Sequence, residues 1–195
     1  MSHPLEMIRP ESRFRVLVAL SVVVTALDVV FTYFGQSLTT PQAPSGGLSL
    51  QLAGDPLVVA SILGSWGAPQ LALAENLLVL DYTFLVCYST LIALGCIAVS
   101  RYWADKSLAR VGIYLAWGQW LAALFDAMEN TALLSVLRSA STVRDTLLPN
   151  SFVVTLGWFS TMGKWWLIEA GLLYIAASIA YRVVESWRAS RRAAS

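Results

Sequence analysis

Seven ionisable side chains interrupt the long apolar runs of this sequence, and these residues have the chemistry to serve a function. They are Asp28, Glu75, Asp81, Asp126, Glu129, Lys164 and Glu169. Carboxyl groups shielded from water bind protons or cations, and a protonated carboxyl can act as a general acid. Six acids against one lysine leave more negative charge than pairing between helices requires. The set therefore favours a ligand, proton or cation role over a purely structural one.

The densest polar feature is the run Asp126-Ala-Met-Glu129-Asn130. On a helical wheel, Gln119, Asp126 and Asn130 fall within about 40° of one another, and Glu129 lies beside them. One helical face in this part of the chain is therefore expected to carry amide and carboxyl groups. Polar contacts that merely hold helices together stay the alternative interpretation.

Each of the other apolar runs also has one polar face. These faces comprise Thr25, Asp28 and Thr32 in the first run, Asp81 and Tyr88 in the second, and Gly157, Ser160, Thr161 and Lys164 in the fourth. A charge at membrane depth costs about 2.5–3.5 kcal/mol on insertion scales. We therefore expect the polar faces to converge on a common interior.

Helical geometry also predicts the partner of the single lysine. Glu169 lies about 140° from Lys164 around the same helix, so Lys164 is expected to pair with Asp126 or Asp81 instead. Glu75 lies near the outer end of its run and is expected to reach water. Glu169 is expected to point away from the shared interior.

The candidate ligand-binding residues are Asp28, Asp81, Tyr88, Gln119, Asp126, Glu129, Asn130 and Lys164. If the chain is an enzyme, Asp126 and Glu129 are the candidate catalytic residues, one donating a proton and the other stabilising positive charge.

No cofactor and no metal site is expected. The single histidine, His3, lies in the N-terminal tail, which argues against haem, zinc and histidine-based catalysis. No P-loop, GxGxxG or cysteine-pair motif occurs. Asp126-x-x-Glu129 is only half of an acidic metal site, and Lys164 nearby would oppose a metal ion.

The composition identifies the class of protein. Hydrophobic residues make up 57% of the 195 positions, and charged residues make up 13%, against roughly 25% in soluble domains. The mean hydropathy is +0.64. A soluble domain of this length could not bury so much apolar surface. The composition predicts an all-α polytopic membrane protein, and the absence of a basic patch with interleaved aromatics disfavours nucleic-acid binding.

Four stretches are long and apolar enough to cross a bilayer, which takes about 20 residues per helix. The predicted spans are 16–34, 71–99, 111–137 and 152–181, in one transmembrane domain over 1–195 that forms a four-helix bundle. A signal peptide is the alternative for the first span. Its apolar run is longer than a usual signal core, contains Asp28, and precedes no convincing cleavage site.

Lysine and arginine residues indicate the orientation of these spans. Ten of them lie before the first span, between the second and third, and after the fourth, all on one side. The opposite side carries only Arg138 and Arg144, and the outer loop 35–70 has none. Both termini are therefore expected in the cytoplasm.

The outer loop contains one helix signal. Asp55 followed by Pro56 is a favourable helix start, and the apolar turns after it are too short to span. We expect a short outer helix there, interfacial or re-entrant. It could form a lid over the bundle or simply shield apolar surface.

The sequence is compatible with three classes of function. The leading one is binding or transport of a small amphiphilic or cationic molecule through an acidic intramembrane pocket, with tryptophans available for cation–π contacts. The alternatives are a membrane-embedded enzyme acting on a lipid or isoprenoid by carboxylate acid/base chemistry, and a structural subunit of a membrane complex. The expected partners are membrane lipids and the small ligand, with no nucleic acid. Homo-oligomerisation stays open.

Overall fold

The computed structural model describes residues 3–142 and 148–193. Regular structure in these ranges is helical and includes no β-strand. The α-helices are α1 Pro10–Gly35, α2 Gly47–Gln51, α3 Pro56–Ser65, α4 Ala68–Ser100, α5 Lys106–Thr142 and α6 Ser151–Ala193, with short 3-10 turns at Pro4–Met7 and Gln36–Leu38. The predicted all-α class is confirmed.

Four of these helices, α1, α4, α5 and α6, are long and apolar enough to cross a membrane. The candidate spanning stretches are Glu11–Leu38, Ala68–Ser100, Lys106–Ala140 and Ser151–Arg192. Each of them contains one of the four intervals predicted from the sequence. These helices are the basis for regarding the chain as a membrane protein.

Side-chain caps explain where several helices begin. The Asp55 carboxylate accepts a hydrogen bond of 2.7 Å from the Leu57 N–H, and Pro56 occupies the first turn of α3, as predicted. The Asp105 carboxylate accepts from the Ser107 N–H at 2.6 Å at the start of α5. The Asn150 side chain accepts from the Phe152 N–H at 2.9 Å at the start of α6. Each cap satisfies a backbone donor that has no partner inside its helix.

Contacts divide the chain into two compact units. Unit 1 comprises Met1–Ser21, Tyr88–Ala122 and Trp165–Ser195, and unit 2 comprises Val22–Cys87 and Ala123–Lys164. Each of the four long helices contributes one segment to each unit.

Unit 1 is held together by small residues and side-chain-to-backbone hydrogen bonds. Its buried apolar core contains Ala93, Cys96, Ile97 and Ala116. Small residues of this kind allow helices to approach closely. The hydroxyl of Tyr174 on α6 donates to the Leu108 carbonyl on α5 at 3.1 Å, which ties those two helices together.

The N-terminal segment also belongs to unit 1. His3 is 1% exposed, and its ring packs edge-on against Trp117 and Trp120 of α5, with centroids 4.7 and 4.6 Å away. The Arg13 side chain donates to the carbonyls of Glu6 and Ile8, at 2.8 and 3.0 Å. The segment before α1 is therefore packed in place.

Unit 2 has its apolar core between the outer loop and the long helices. Buried side chains of the loop pack with buried side chains of α4, α5 and α6. The cluster includes Leu38, Leu50, Val59, Ile62 and Trp66 from the loop, with Leu78, Leu133, Leu137 and Val154 from the helices. The Trp66 indole N–H donates to the Leu38 carbonyl at 2.9 Å. The predicted short outer helix is present as α3, and its depth in a membrane stays a prediction.

One further contact fastens the outer loop to α6. The Gly54 backbone lies close to the Trp158 indole, so that a Cβ at this position would be 3.2 Å from two ring atoms. Of the basic residues expected on the outer side, Arg138 forms an ion pair with Glu75, while Arg144 lies outside the described residues.

Candidate functional site

Three helices of unit 2 bring five polar side chains together, and we call this group the acidic cluster. It consists of Asp81 from α4, Asp126, Glu129 and Asn130 from α5, and Lys164 from α6. Residues spaced three and four apart lie on one face of a helix, so α5 presents its three side chains in the same direction.

Lys164 is the centre of the acidic cluster. Its ammonium nitrogen lies 2.6 Å from Asp126 Oδ1 and 2.7 Å from Glu129 Oε2. All three side chains are buried, with exposures of 8%, 3% and 0% for Lys164, Asp126 and Glu129. Their attraction is strong away from water, but it offsets a large loss of hydration. Removing one member would leave an uncompensated buried charge.

Asp81 completes the acidic cluster from α4. Its Oδ2 accepts a hydrogen bond of 2.6 Å from the Asn130 side-chain amide. The Asp81 carboxyl group also interacts electrostatically with that of Asp126 and with the Lys164 ammonium group. The three carboxyl groups and the ammonium group therefore form one connected polar group.

Two buried oxygens of the acidic cluster make neither a hydrogen bond nor an ion pair with the described part of the chain. They are Oε1 of Glu129 and Oδ1 of Asn130, and both residues are 0% exposed. The Thr161 hydroxyl, one turn before Lys164, interacts with the Glu129 carboxylate but is directed at the carbonyls of Gly157 and Gln51, at 3.0 and 3.2 Å. Buried acceptors are normally satisfied, so these two oxygens are where a ligand with N–H or O–H donors could bind.

The structure does not bring Asp28 into the acidic cluster, which corrects the expectation that all four polar faces meet inside. Thr25, Asp28 and Thr32 all lie on the exposed side of α1. The reason is that α1 is apolar on every side except this polar stripe, and no residue in its most apolar stretch is buried. Its apolar pattern therefore does not specify which side packs against the protein.

Gln119 and Tyr88 are buried, as expected of candidate site residues, but they belong to unit 1. The Gln119 side-chain amide donates to the Leu167 carbonyl at 2.7 Å. This short bond joins α5 to α6 through the amide nitrogen.

The expected pairing of Lys164 with Asp126 is confirmed, whereas Asp81 takes Asn130 instead. Glu129 as the second partner of Lys164 was not predicted. The Glu75 side chain reaches water, as expected, being 39% exposed, and its carboxylate lies 2.8 Å from the Arg138 guanidinium. Glu169 lies on an exposed face of α6, also as expected.

Sequence reasoning missed the contacts that involve backbone atoms or the N-terminus. The contact between the Gln51 carbonyl and Thr161 cannot be predicted from residue types, because every residue has a backbone carbonyl. His3 gave no signal either, because a lone polar residue in a terminal tail carries no periodicity.

The tryptophans expected to be available for cation–π contacts or an apolar wall are divided between unit 1 and unit 2. Trp117 and Trp120 contact His3, and Trp165 and Trp166 are exposed. Trp158 is the member that lies in unit 2, against Gly54. No group of three or more His, Cys, Asp or Glu side chains in the described ranges is arranged to hold a metal ion.

Comparison of the chain with protein-family models, with curated proteins and with solved structures found no match.

Proposed function

We propose that the chain is an integral membrane protein, with both termini in the cytoplasm, that binds or transports a small cationic or amphiphilic molecule at its acidic cluster. The observation that carries this proposal is the Glu129 carboxylate, which is fully buried while its Oε1 has no hydrogen-bond donor among the described residues. A buried carboxylate oxygen in this state is a binding site for a donor that the protein does not itself supply.

The balance of charge supports a cation. The acidic cluster contains three carboxyl groups and one ammonium group among its described members. If all were ionised the cluster would carry a net charge of −2, which a low-dielectric interior does not tolerate. A proton bound within the acidic cluster would remove one of these charges. A bound cation would neutralise the other.

The acceptors also limit the kind of cation. A substituted ammonium ion can donate to Glu129 Oε1 and Asn130 Oδ1 while Lys164 keeps its bonds to Asp126 and Glu129. Its apolar part would lie against apolar side chains such as Ala132 and Leu133, which lie one turn after Glu129 on α5 and are buried. The proposed ligand therefore combines one cationic nitrogen that bears N–H groups with an apolar body.

Binding of dodecylammonium tests the proposal, with uncharged dodecanol as the matched control. Full-length protein in lipid nanodiscs is compared with empty nanodiscs by equilibrium dialysis of the radiolabelled compounds. We expect excess binding of dodecylammonium alone. Glu129→Gln should weaken it by about tenfold or more, because a charged partner of the ammonium is lost.

Glu75→Gln is the control variant, since it makes the same change at a carboxylate outside the acidic cluster whose side chain is 39% exposed. It should bind as the wild type does. Should Glu129→Gln fail to fold, Glu129→Asp replaces it and should retain part of the binding. Equal binding by folded Glu129→Gln and wild type, or no excess over empty nanodiscs, would refute the proposal. Turnover of an added lipid or isoprenoid that Glu129→Gln abolishes would assign the carboxyls to catalysis instead.

A further inference from the structure

Helix α1 carries an intramembrane acid that the rest of the chain leaves uncovered. In the most apolar stretch of α1 no residue is buried, whereas half are buried in the corresponding stretches of α4 and α5. In unit 2, α1 meets α4 through the edge-on ring pair of Phe31 and Phe84, whose centroids are 5.3 Å apart. Most of the surface of α1 is therefore open to lipid or to another protein.

The exposed surface includes a polar stripe. Thr25, Asp28 and Thr32 are all exposed on α1, and Asp28 has no hydrogen bond or ion pair with any described residue. The neighbouring Val22 and Val29 are 64% and 60% exposed. A carboxyl group thus lies within an otherwise apolar surface.

The position of Asp28 along α1 places it within the hydrocarbon. It lies seven residues before Gly35, the last residue of the helix, which corresponds to about 10 Å along the axis. It lies thirteen residues after Arg15, the last basic residue before the apolar run. An Asp side chain is too short to reach the headgroups from there, so an unpaired carboxylate is costly and calls for a partner.

A second copy of this chain does not provide the complementary charge. Lys164 is the only Lys or Arg within the four spans predicted from the sequence, and it is buried and already paired with Asp126 and Glu129. Arg138, near the outer end of the spanning stretch Lys106–Ala140, is exposed but already paired with Glu75. Symmetric association through α1 would bring Asp28 against Asp28. A different helix with a basic side chain at matching depth would neutralise it.

We propose that the face of α1 formed by Thr25, Asp28 and Thr32 docks a transmembrane helix of another protein that carries a Lys or Arg side chain in the outer half of the membrane. The basic side chain pairs with Asp28. Thr25 and Thr32, one turn to either side, are small enough to let the two helices approach closely. This docking is independent of the ligand at the acidic cluster.

Designed peptides test the docking. The full-length protein, labelled with a fluorophore, is reconstituted into phosphatidylcholine vesicles with a labelled Leu/Ala transmembrane peptide that carries one Lys at the depth of Asp28. A peptide with Leu at that position is the control. Energy transfer should show that wild type binds the Lys peptide about three- to tenfold more tightly, the range expected of one polar contact between helices. Asp28→Asn should reduce binding to the level of the Leu peptide.

Glu169→Gln is the matched control variant, because it removes another exposed acid from a predicted span, and it should bind the Lys peptide as the wild type does. Asp28→Lys should reverse the preference in favour of a peptide that carries one Asp. Equal binding of the Lys and Leu peptides by wild type would overturn the proposal, as would binding unaffected by Asp28→Asn. Self-association of wild type that Asp28→Asn abolishes, without any preference for the Lys peptide, would overturn it in favour of a homo-oligomer.

Discussion

The Lys164 ammonium on α6 lies 2.6 Å from the Asp126 carboxylate on α5, and both side chains are buried. Lys164 also lies 2.7 Å from Glu129, so one cation holds two carboxylates from the same face of α5. The third carboxyl, from Asp81, is held by Asn130 on that same face. The polar interior of unit 2 is therefore organised by α5, with one partner from each of α4 and α6.

Replacing Lys164 tests how strongly this arrangement depends on its cation. Lys164→Met leaves Asp126 and Glu129 buried without a counter-ion, and we expect a loss of about 3–5 kcal/mol in unfolding free energy. In a variant that already carries Asp126→Asn and Glu129→Gln, Lys164→Met should lower the unfolding free energy much less, because neither position then carries a carboxylate that needs a counter-ion. Unfolding titrations in mixed micelles measure both.

Arg138→Met is the control for this comparison, since it breaks the exposed pair with Glu75. Arg138→Met should lower the unfolding free energy by at most about 1 kcal/mol. Equal costs of Lys164→Met in the two backgrounds would contradict the role of Lys164 as a counter-ion.

The docking of the N-terminal segment should depend on pH through His3. Burial lowers the pKa of the His3 imidazole below its ordinary value of 6.5, and the Glu6 carboxylate acts in the opposite direction to a smaller extent. The pKa of His3 is lower when the segment is docked than when it is released. Docking is therefore fully stable above about pH 6.5, and this stability is lost as the pH falls from there toward the lowered pKa. Amide hydrogen exchange at Leu5 and Glu6 should accelerate over that range.

His3→Phe provides the control, because it keeps a ring against Trp117 and Trp120 that cannot be protonated. Exchange in this variant, corrected for the intrinsic pH dependence of amides, should not change with pH. The same acceleration in wild type and His3→Phe would show that another group is responsible.

Two glycines in the outer loop should respond to substitution in opposite directions. At Gly54 a Cβ would meet the Trp158 indole at 3.2 Å, so Gly54→Val should cost about 1–3 kcal/mol through overpacking. Gly64, within α3, has no atom within 4 Å of a Cβ, so Gly64→Ala should stabilise by about 0.5–1 kcal/mol. Thermal unfolding measures both, and a loss of stability in Gly64→Ala or none in Gly54→Val would contradict the packing described.

The proposed orientation is tested by labelling single cysteines in intact cells. With Cys87 and Cys96 replaced by Ala, Ser45→Cys in the outer loop should react with a membrane-impermeant maleimide. Ser190→Cys near the C-terminus should react only after the cells are opened, because the distribution of Lys and Arg predicts a cytoplasmic terminus. Labelling of Ser190→Cys in intact cells would reverse the orientation.

Much of the acidic cluster could be predicted before its geometry was known. The spacing of Asp126, Glu129 and Asn130 places them on one helical face whatever the helix packs against. The pairing of Lys164 with another helix follows because Glu169 lies on a different side of α6. The Asn130–Asp81 bond and the choice of Glu129 as a second partner depend on distances between helices, which periodicity does not specify.

The sequence by itself determined that the chain is all-helical, has four long apolar helices and a short outer one, and carries too many carboxyl groups in its apolar runs for its single lysine. Composition and helical period suffice for this, because both act within one helix. Only the tertiary structure decided which polar faces meet. Glu129 is buried and Asp28 is exposed, because the burial of a residue depends on which neighbouring helices cover it. A mostly apolar helix such as α1 has several equivalent sides that could pack against the protein.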